Sequence, residues 1–224
     1  MDKEQTAAPQ LPGAFELFKP SYEALMVNIW TFLGLVALPM AGLLIGTMLL
    51  GGNSEGSATS MGALQGVGAL IAVASGLLTI IIAPAMPLVQ IKSTQGKQIT
   101  IGEALQGGLK FFWRFWGLSI LVGLIIIVGF LLLIVPGIFM IKRYYLAPFY
   151  MYDKNTGIGE AMRTCAEDSK AFAGAIWGVI GVTLLINLPS IIPLFAIVTM
   201  VLSIVYYCAP TLRYFQIKSA KKKR

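Results

Sequence analysis

The sequence predicts an all-α integral membrane protein with six transmembrane helices, arranged as three parallel hairpin repeats with interfacial amphipathic helices. Three observations lead to this fold class: the chain is poor in charge, its charge-free tracts are long, and short motifs recur along it. Of its 224 residues, 57% are hydrophobic, 12% are charged and none is histidine. A soluble domain carries roughly a quarter charged residues. The composition therefore excludes an ordinary soluble enzyme and favours the bilayer as solvent.

Four tracts lack charged side chains and exceed the roughly 20 residues that a helix needs to cross a hydrocarbon core. These tracts are 24–54, 56–91, 115–141 and 171–212. Because proline removes a helical donor and glycine favours a turn, we expect turns at 135–137 and 189–193. The predicted spans are 27–50, 63–89, 115–135, 138–152, 172–188 and 194–212.

The distribution of lysine and arginine predicts the orientation of these spans. Fifteen of the seventeen basic residues lie in four segments that alternate with the predicted hairpins, namely 1–23, 90–114, 153–170 and 213–224. Both termini are therefore expected in the cytoplasm of a bacterial cell, with the loop around Asn53, Ser54 and Glu55 outside. A five-span alternative, in which 138–152 does not cross, places two of the basic segments on opposite sides.

The predicted organisation is a single membrane domain covering 1–224. Its parts are a cytoplasmic N-terminal segment 1–26, a first hairpin 27–89, an amphipathic helix and hairpin 99–152, a second such unit 157–212, and a basic cytoplasmic tail 213–224.

Two motifs recur in the same order and indicate an internal duplication. Ala83-Pro84 and Ala209-Pro210 lie 126 residues apart, and Ala147-Pro148 lies halfway between them. The second motif, Ile101-Gly102-Glu103, recurs as Ile158-Gly159-Glu160. Each unit crosses twice, so the copies are parallel repeats and not inverted ones. We expect Pro84, Pro148 and Pro210 to bend the second span of each copy near its inner end.

Helix capping is the favoured interpretation of the two recurring carboxylates. Thr100 to Glu103 fits the S/T-x-x-E box, in which the threonine caps the helix and the glutamate reaches back to a free amide. Glu160 has the equivalent position, with Gly157 as a weaker cap. A functional carboxylate is the alternative. Small residues spaced by four, as in Gly42-x-x-x-Gly46 and Gly68-x-x-x-Ala72, predict close packing between helices within the chain, with a dimer contact as the alternative.

Lys142 and Arg143 are the only cations inside a predicted span. A cation within a membrane is costly and is a functional candidate, so both are predicted to bind an anion or an anionic lipid. We expect Arg143 to face inward, because a guanidinium satisfies several oxygens at once. The alternative is a side chain that extends to the outer headgroup layer.

Several functions are excluded by missing residue types. No Asp or Glu lies in any predicted span, so the carboxylates of proton- or sodium-coupled transport are missing. Without histidine, and with Cys165 and Cys208 expected to be reduced thiols, neither a catalytic residue, a metal site nor a cofactor is predicted. The basic residues 218–224 directly follow a span, which is typical of anchoring to anionic lipid and not of nucleic-acid binding.

The order Val135-Pro136-Gly137-Ile138, Arg143, Ala147-Pro148, Gly159-Glu160-Ala161 and Trp177 resembles a family of uncharacterised multi-spanning bacterial inner-membrane proteins. That family is related to the membrane domain of some glycerophosphodiester phosphodiesterases. The resemblance covers about residues 97–188. It implies a six-helix inner-membrane fold in which a Pro-Gly-Ile turn joins two spans and an arginine lies in the second. No hydrolytic activity is implied, because no phosphodiesterase domain is present.

These observations predict a multi-pass plasma-membrane protein without catalytic activity that organises the membrane or binds a partner or lipid. The expected partners are the bilayer, anionic phospholipid headgroups, and a membrane protein or a second copy of the chain. The alternative is an uncoupled transporter or channel for a small or anionic solute, with Lys142 and Arg143 in an internal cavity.

Overall fold

A computed structural model gives the fold and describes residues 11–51, 58–191 and 195–222. Within these ranges every regular element is a helix. The helices are α1 (Phe18–Val27), α2 (Ile29–Gly51), α3 (Ala58–Ile82), α4 (Ala85–Thr94), α5 (Ile101–Lys110), α6 (Phe112–Leu132), α7 (Ile134–Tyr144), α8 (Ala147–Lys154), α9 (Ile158–Ala171), α10 (Ala173–Asn187), α11 (Ala196–Val205) and α12 (Ala209–Lys222), with 3-10 turns at Phe15–Leu17 and Leu188–Ile191.

Several of these helices are long and apolar enough to cross a membrane. Four segments meet that requirement: Ile29–Gly51, Gln65–Ile82, Phe112–Leu132 and Ile197–Lys222. A fifth is reached if α9 and α10, which meet at a bend of 99°, form one broken span. The predicted class, an all-α chain with membrane-length apolar helices, is thus confirmed for the described residues. Six separate spans are not reached by this measure. α7 has only 11 residues, about 16 Å at 1.5 Å per residue.

The second span of each predicted hairpin is divided in two. α3 and α4 are separated at Ala83 and Pro84, α7 and α8 at Tyr145 and Leu146, and α11 and α12 at 206–208. Pro148 and Pro210 lie in the first turn of α8 and α12. A proline fits there because the first turn leaves its amides free and the ring fixes a helical φ. The three prolines therefore lie in the first turn of a helix or directly before it.

The turn expected at 135–137 lies a few residues earlier. α6 ends at Leu132, and the extended Leu133 precedes the first residue of α7. Pro136 and Gly137 thus belong to the first turn of α7. A Cβ on Gly129 would lie 2.9 Å from the Cα of Gly137, so the two helices meet backbone to backbone at this pair. The predicted loop around Asn53, Ser54 and Glu55 lies outside the described residues. Pro193, in the turn predicted at 189–193, also lies outside them.

The helices form two compact units. The small unit contains Asn28–Val89 and Ile99–Phe112. Its core is Leu35, Ile82, Ala85, Val89, Ile99 and Ala104. α2 and α3 approach closely along their small residues: a Cβ on Gly46 would lie 2.7 Å from the backbone nitrogen of Ala72. This contact agrees with the prediction that the regularly spaced small residues pack helices of the same chain against each other.

The large unit contains Met1–Val27, Gln90–Gln98 and Trp113–Arg224. Its core is Leu17, Val179, Val182, Ile186, Tyr206 and Ala209. Hydrogen bonds join its two ends, because the Tyr206 hydroxyl donates to the Ala14 carbonyl at 2.9 Å and the Cys208 amide donates to Ser21 Oγ at 3.0 Å. The segment 14–21 is therefore held by the turn before α12.

Large apolar side chains are exposed along the long helices. Trp113 and Leu131 on α6 are 84% and 80% exposed, Trp30 on α2 is 81% exposed, and Ile197 on α11 is 75% exposed. Contiguous apolar surface of this kind is rare in water-soluble monomers and suits contact with lipid. The tryptophans lie at the first residues of α2 and α6, a position typical of the membrane interface.

Candidate functional site

Lys142 and Arg143 lie in the last turn of α7, and both are partly exposed. Lys142 Nζ lies 5.3 Å from the ring centroid of Phe139, and Arg143 Cζ lies 5.8 Å from that of Tyr144. Arg143 Nε is buried and has no hydrogen-bond partner among the residues that the structure describes. In the same described part of the chain, neither cation has a carboxylate oxygen within 4.0 Å. Among the described residues, no carboxylate therefore pairs with either charge.

Helix α9 lies beside Arg143. The Cys165 thiol of α9 donates to the Arg143 carbonyl at 3.2 Å. On the same helix, Arg163 and Glu167 form an exposed ion pair at 3.7 Å. Arg143 thus lies next to a charged amphipathic helix, at the end of α7 that is remote from Leu133. Both interpretations of Arg143, a side chain that faces inward and one that extends to the headgroup layer, stay predictions.

An apolar groove opens next to these cations, between α6 and the end of α7. It has a volume of about 240 Å³, and its walls include Leu118, Val122 and Ile126 of α6 and Ile141, Tyr144 and Pro148 from the other side. Tyr144 borders the groove and also contacts the Arg143 guanidinium. Tyr144 thus connects the groove with the Arg143 cation, although neither Lys142 nor Arg143 lines the groove itself.

A network of carboxylates, tyrosines and lysines joins α8, α9 and α12, and the sequence analysis did not identify it. The Tyr150 hydroxyl donates to Asp168 at 2.7 Å, and the Tyr214 hydroxyl donates to Asp153 at 2.6 Å. The two tyrosine rings meet edge to face at 4.7 Å. Each carboxylate also accepts from one lysine of α12: Asp168 accepts from Lys221, and Asp153 accepts from Lys218. With both acids satisfied in this way, the network holds helices together and offers no free base.

Arg213 is a further residue that the sequence analysis missed. The prediction placed it in a basic tail, whereas residues 209–222 form α12 with one buried face. Arg213 is 1% exposed, and its Nη1 donates to the Pro12 carbonyl and to Gln216 Oε1, each at 3.0 Å. The helical spacing of Tyr214 and Ile217 was the available signal, because it continues an apolar face past the end of the predicted span.

The predicted capping residues lie at helix starts. Thr100 Oγ1 accepts from the Glu103 amide at 3.3 Å, and the Glu103 carboxylate accepts from the Thr100 amide at 3.0 Å, which are the two bonds of a capping box. Glu160 lies exposed in the first turn of α9, whose N-cap is Gly157. Within the described residues, neither Glu103 nor Glu160 forms an ion pair with Arg143. The two glutamates and Arg143 therefore do not form a shared site there.

No group of three or more Cys, Asp or Glu residues in the described ranges is arranged to hold a metal ion. Cys165 and Cys208 are buried free thiols. Fold and sites together define the class, for the described residues, as an all-helical chain with membrane-length helices and a buried arginine, Arg213. Comparison with protein-family models, with curated proteins and with solved structures gave no match to this chain. The resemblance based on Pro136, Gly137 and Arg143 therefore stays a prediction.

Proposed function

We propose that the chain is a six-span protein of the bacterial inner membrane, with both termini in the cytoplasm, that organises the membrane by binding anionic phospholipid and has no catalytic activity. The order of helices supports the six-span arrangement. The twelve α-helices of the described residues fall into three groups of four, in each of which two more apolar helices lie between two more polar ones, and the last helix begins next to Ala-Pro each time. Under this proposal the hairpins are α2 with α3, α6 with α7, and α10 with α11.

The single observation that carries lipid binding is Arg143, which has no carboxylate partner among the described residues and contacts Tyr144 at the border of the apolar groove. A buried guanidinium nitrogen without an acceptor costs free energy, and a phosphate supplies several oxygens in the geometry that arginine prefers. The groove next to Tyr144 then receives an acyl chain of the same molecule. A single phospholipid satisfies both features, whereas a small soluble anion satisfies only the first.

Lipid retention tests this proposal. The full chain is purified in mild detergent from cells containing phosphatidylglycerol, and the bound lipid is identified by mass spectrometry. Arg143→Leu should lose most of the bound anionic lipid, because the charge that faces the phosphate is gone. Lys142→Leu is the matched control on the adjacent residue, which points about 100° away around the helix. Equal retention by the two variants contradicts the proposal.

Cysteine labelling tests the topology. Single cysteines replace Ser57, Gln95 or Ser219 in a chain whose Cys165 and Cys208 are changed to serine. A membrane-impermeant thiol reagent added to intact cells should label only the Ser57→Cys chain, whereas all three should react in opened membranes. Labelling of Ser219→Cys from outside contradicts the six-span arrangement, because the number of crossings is then odd.

The alternative function, an uncoupled transporter or channel, makes a different prediction for the same groove. Transport of a small anion requires a polar passage through the bundle, whereas the groove walls are mainly aliphatic and aromatic. Flux of chloride, phosphate or glycerol 3-phosphate into liposomes containing the purified chain measures this directly. Flux that disappears in Arg143→Leu favours the transporter over the lipid-binding module.

A further inference from the structure

A second cleft lies in the large unit, and Arg213 is the charged residue in its lining. The cleft has a volume of about 400 Å³. Three segments form it: the stretch before α1, the start of α10, and α12. Its lining includes Pro12, Gly13, Phe172, Gly174, Ala175 and Arg213. This volume falls within the range of small-molecule sites.

Arg213 carries a charge that the described protein groups do not neutralise. Its side chain is almost completely buried, at 1% exposure. Nη1 is used by Pro12 and Gln216, both neutral acceptors, but Nε has no hydrogen-bond partner among the described residues. No carboxylate in that part of the chain forms an ion pair with it. A buried cation in this condition favours an anion from outside the protein.

The start of α10 adds a second positive group to the same cleft. The helix has 15 residues, its N-cap is Phe172, and no side chain caps it. The free amides and the dipole of a helix N-terminus attract an anion. Gly174 in this first turn has open space where a Cβ would lie. An anion can therefore approach the backbone amides of the first turn of α10 without meeting a side chain at position 174.

Glu16 is the acid whose charge acts on Arg213. It is exposed and forms no ion pair with the arginine within the described residues. Its carboxylate lies on the side of Gly13, where a Cβ would be 3.5 Å from Glu16 Oε1. The Glu16 carboxylate weakens the attraction of the cleft for an anion. Glu16 is not among the residues that line the cleft.

We propose that this cleft binds an organic phosphate, with the phosphate between Arg213 and the start of α10. The volume exceeds what a phosphate alone needs, and the apolar side chains of Pro12 and Phe172 suit a short organic group. The phosphate belongs either to a soluble ester or to a phospholipid head. The site uses none of the residues around Arg143, so it extends the proposed function and does not depend on it.

Binding to the purified full chain in a neutral detergent tests the proposal. Inorganic phosphate and glycerol 3-phosphate are the soluble probes, and nanodiscs with or without phosphatidylglycerol provide the lipid head. Affinity is measured by calorimetry and by the shift in thermal unfolding. Arg213→Gln should weaken binding about tenfold or more, as expected when a charged hydrogen-bond donor is lost. Glu16→Gln should tighten binding, because a repelling charge is removed.

Gly174→Leu keeps the test valid if Arg213→Gln fails to fold. Leucine at that position fills the cleft, leaves Arg213 in place and suits a helix, so it should abolish binding in a folded protein. Gly181→Leu, also on α10 with open space for its Cβ, is its matched control. Lys222→Gln, an exposed cation on α12, is the control for charge.

The outcomes separate the sources of the phosphate. Saturation by glycerol 3-phosphate identifies a soluble ester, whereas binding seen only with phosphatidylglycerol identifies a lipid head. The proposal is overturned if no probe binds at millimolar concentration, or if Lys222→Gln weakens binding as much as Arg213→Gln. Because Arg143→Leu leaves this cleft intact, loss of lipid at α7 and loss of binding here are measured independently.

Discussion

The small and large units are held together in different ways. Between Asn28 and Val89 the sequence contains one charged residue, Glu55, and α2 and α3 meet through glycine and alanine at backbone distance. The large unit instead joins α8, α9 and α12 through two carboxylates, two tyrosines and two lysines. Close backbone packing and polar networks both stabilise helices in membrane proteins. Gly129 and Gly137 also meet backbone to backbone in the large unit, so the comparison teaches that the two units differ by the charged network of the large one.

The largest expected effect comes from disturbing the close packing of the small unit. In Gly46→Leu the new side chain meets the backbone of Ala72 and Gly68, and neither can move aside. We expect a loss of about 3 kcal/mol in the free energy of unfolding, with faster hydrogen exchange confined to α2 and α3. Gly76→Leu on α3 is the control, because its Cβ meets open space. Equal losses for the two variants would show that close approach is not what stabilises this unit.

A smaller effect is expected from the network of the large unit. Asp168→Asn removes the charge that accepts from Tyr150 and Lys221, and the site is nearly buried. We expect a loss of about 2 kcal/mol, measured by thermal unfolding in detergent, with faster exchange in α9 and α12. Glu167→Gln, in the exposed pair with Arg163, should change stability by less than about 0.5 kcal/mol. Equal, small changes in stability for Asp168→Asn and Glu167→Gln would show that the network does not stabilise the large unit.

The smallest effect concerns the one capping box described in the small unit. Thr100→Ala removes the acceptor for the Glu103 amide, and loss of an N-cap costs about 1 kcal/mol. Gln106→Ala, exposed on the same helix, should be neutral within about 0.5 kcal/mol. Hydrogen exchange of the first-turn amides of α5 measures the local change. If Thr100→Ala lowers the free energy of unfolding more than Asp168→Asn does, the expected order of the two effects is wrong.

The sequence was sufficient for features that follow from local chemistry. The long apolar helices α2, α3 and α6 follow from tracts without charge, and the cap at Thr100 follows from a four-residue spacing. The break near each Ala-Pro was placed well, although its form as the start of a new helix was not foreseen. Arg213 was missed because its burial depends on Pro12, which is distant in sequence. The Asp153 and Asp168 pairs were missed for the same reason, since their lysine partners and Tyr214 lie on α12, distant in sequence.

The hydrogen bonds between the first and last parts of the large unit have a consequence for biogenesis. Ser21 and Cys208 are 187 positions apart, and Pro12 and Arg213 are 201 positions apart. During synthesis α1 emerges early, yet the Cys208 amide that donates to Ser21 and the helices α11 and α12 that contact α1 arrive only at the end. Contacts over such separations form late in folding. A nascent chain that stalls before Tyr206 therefore exposes α1, and a membrane chaperone that recognises unfinished products would find its apolar face accessible for most of translation.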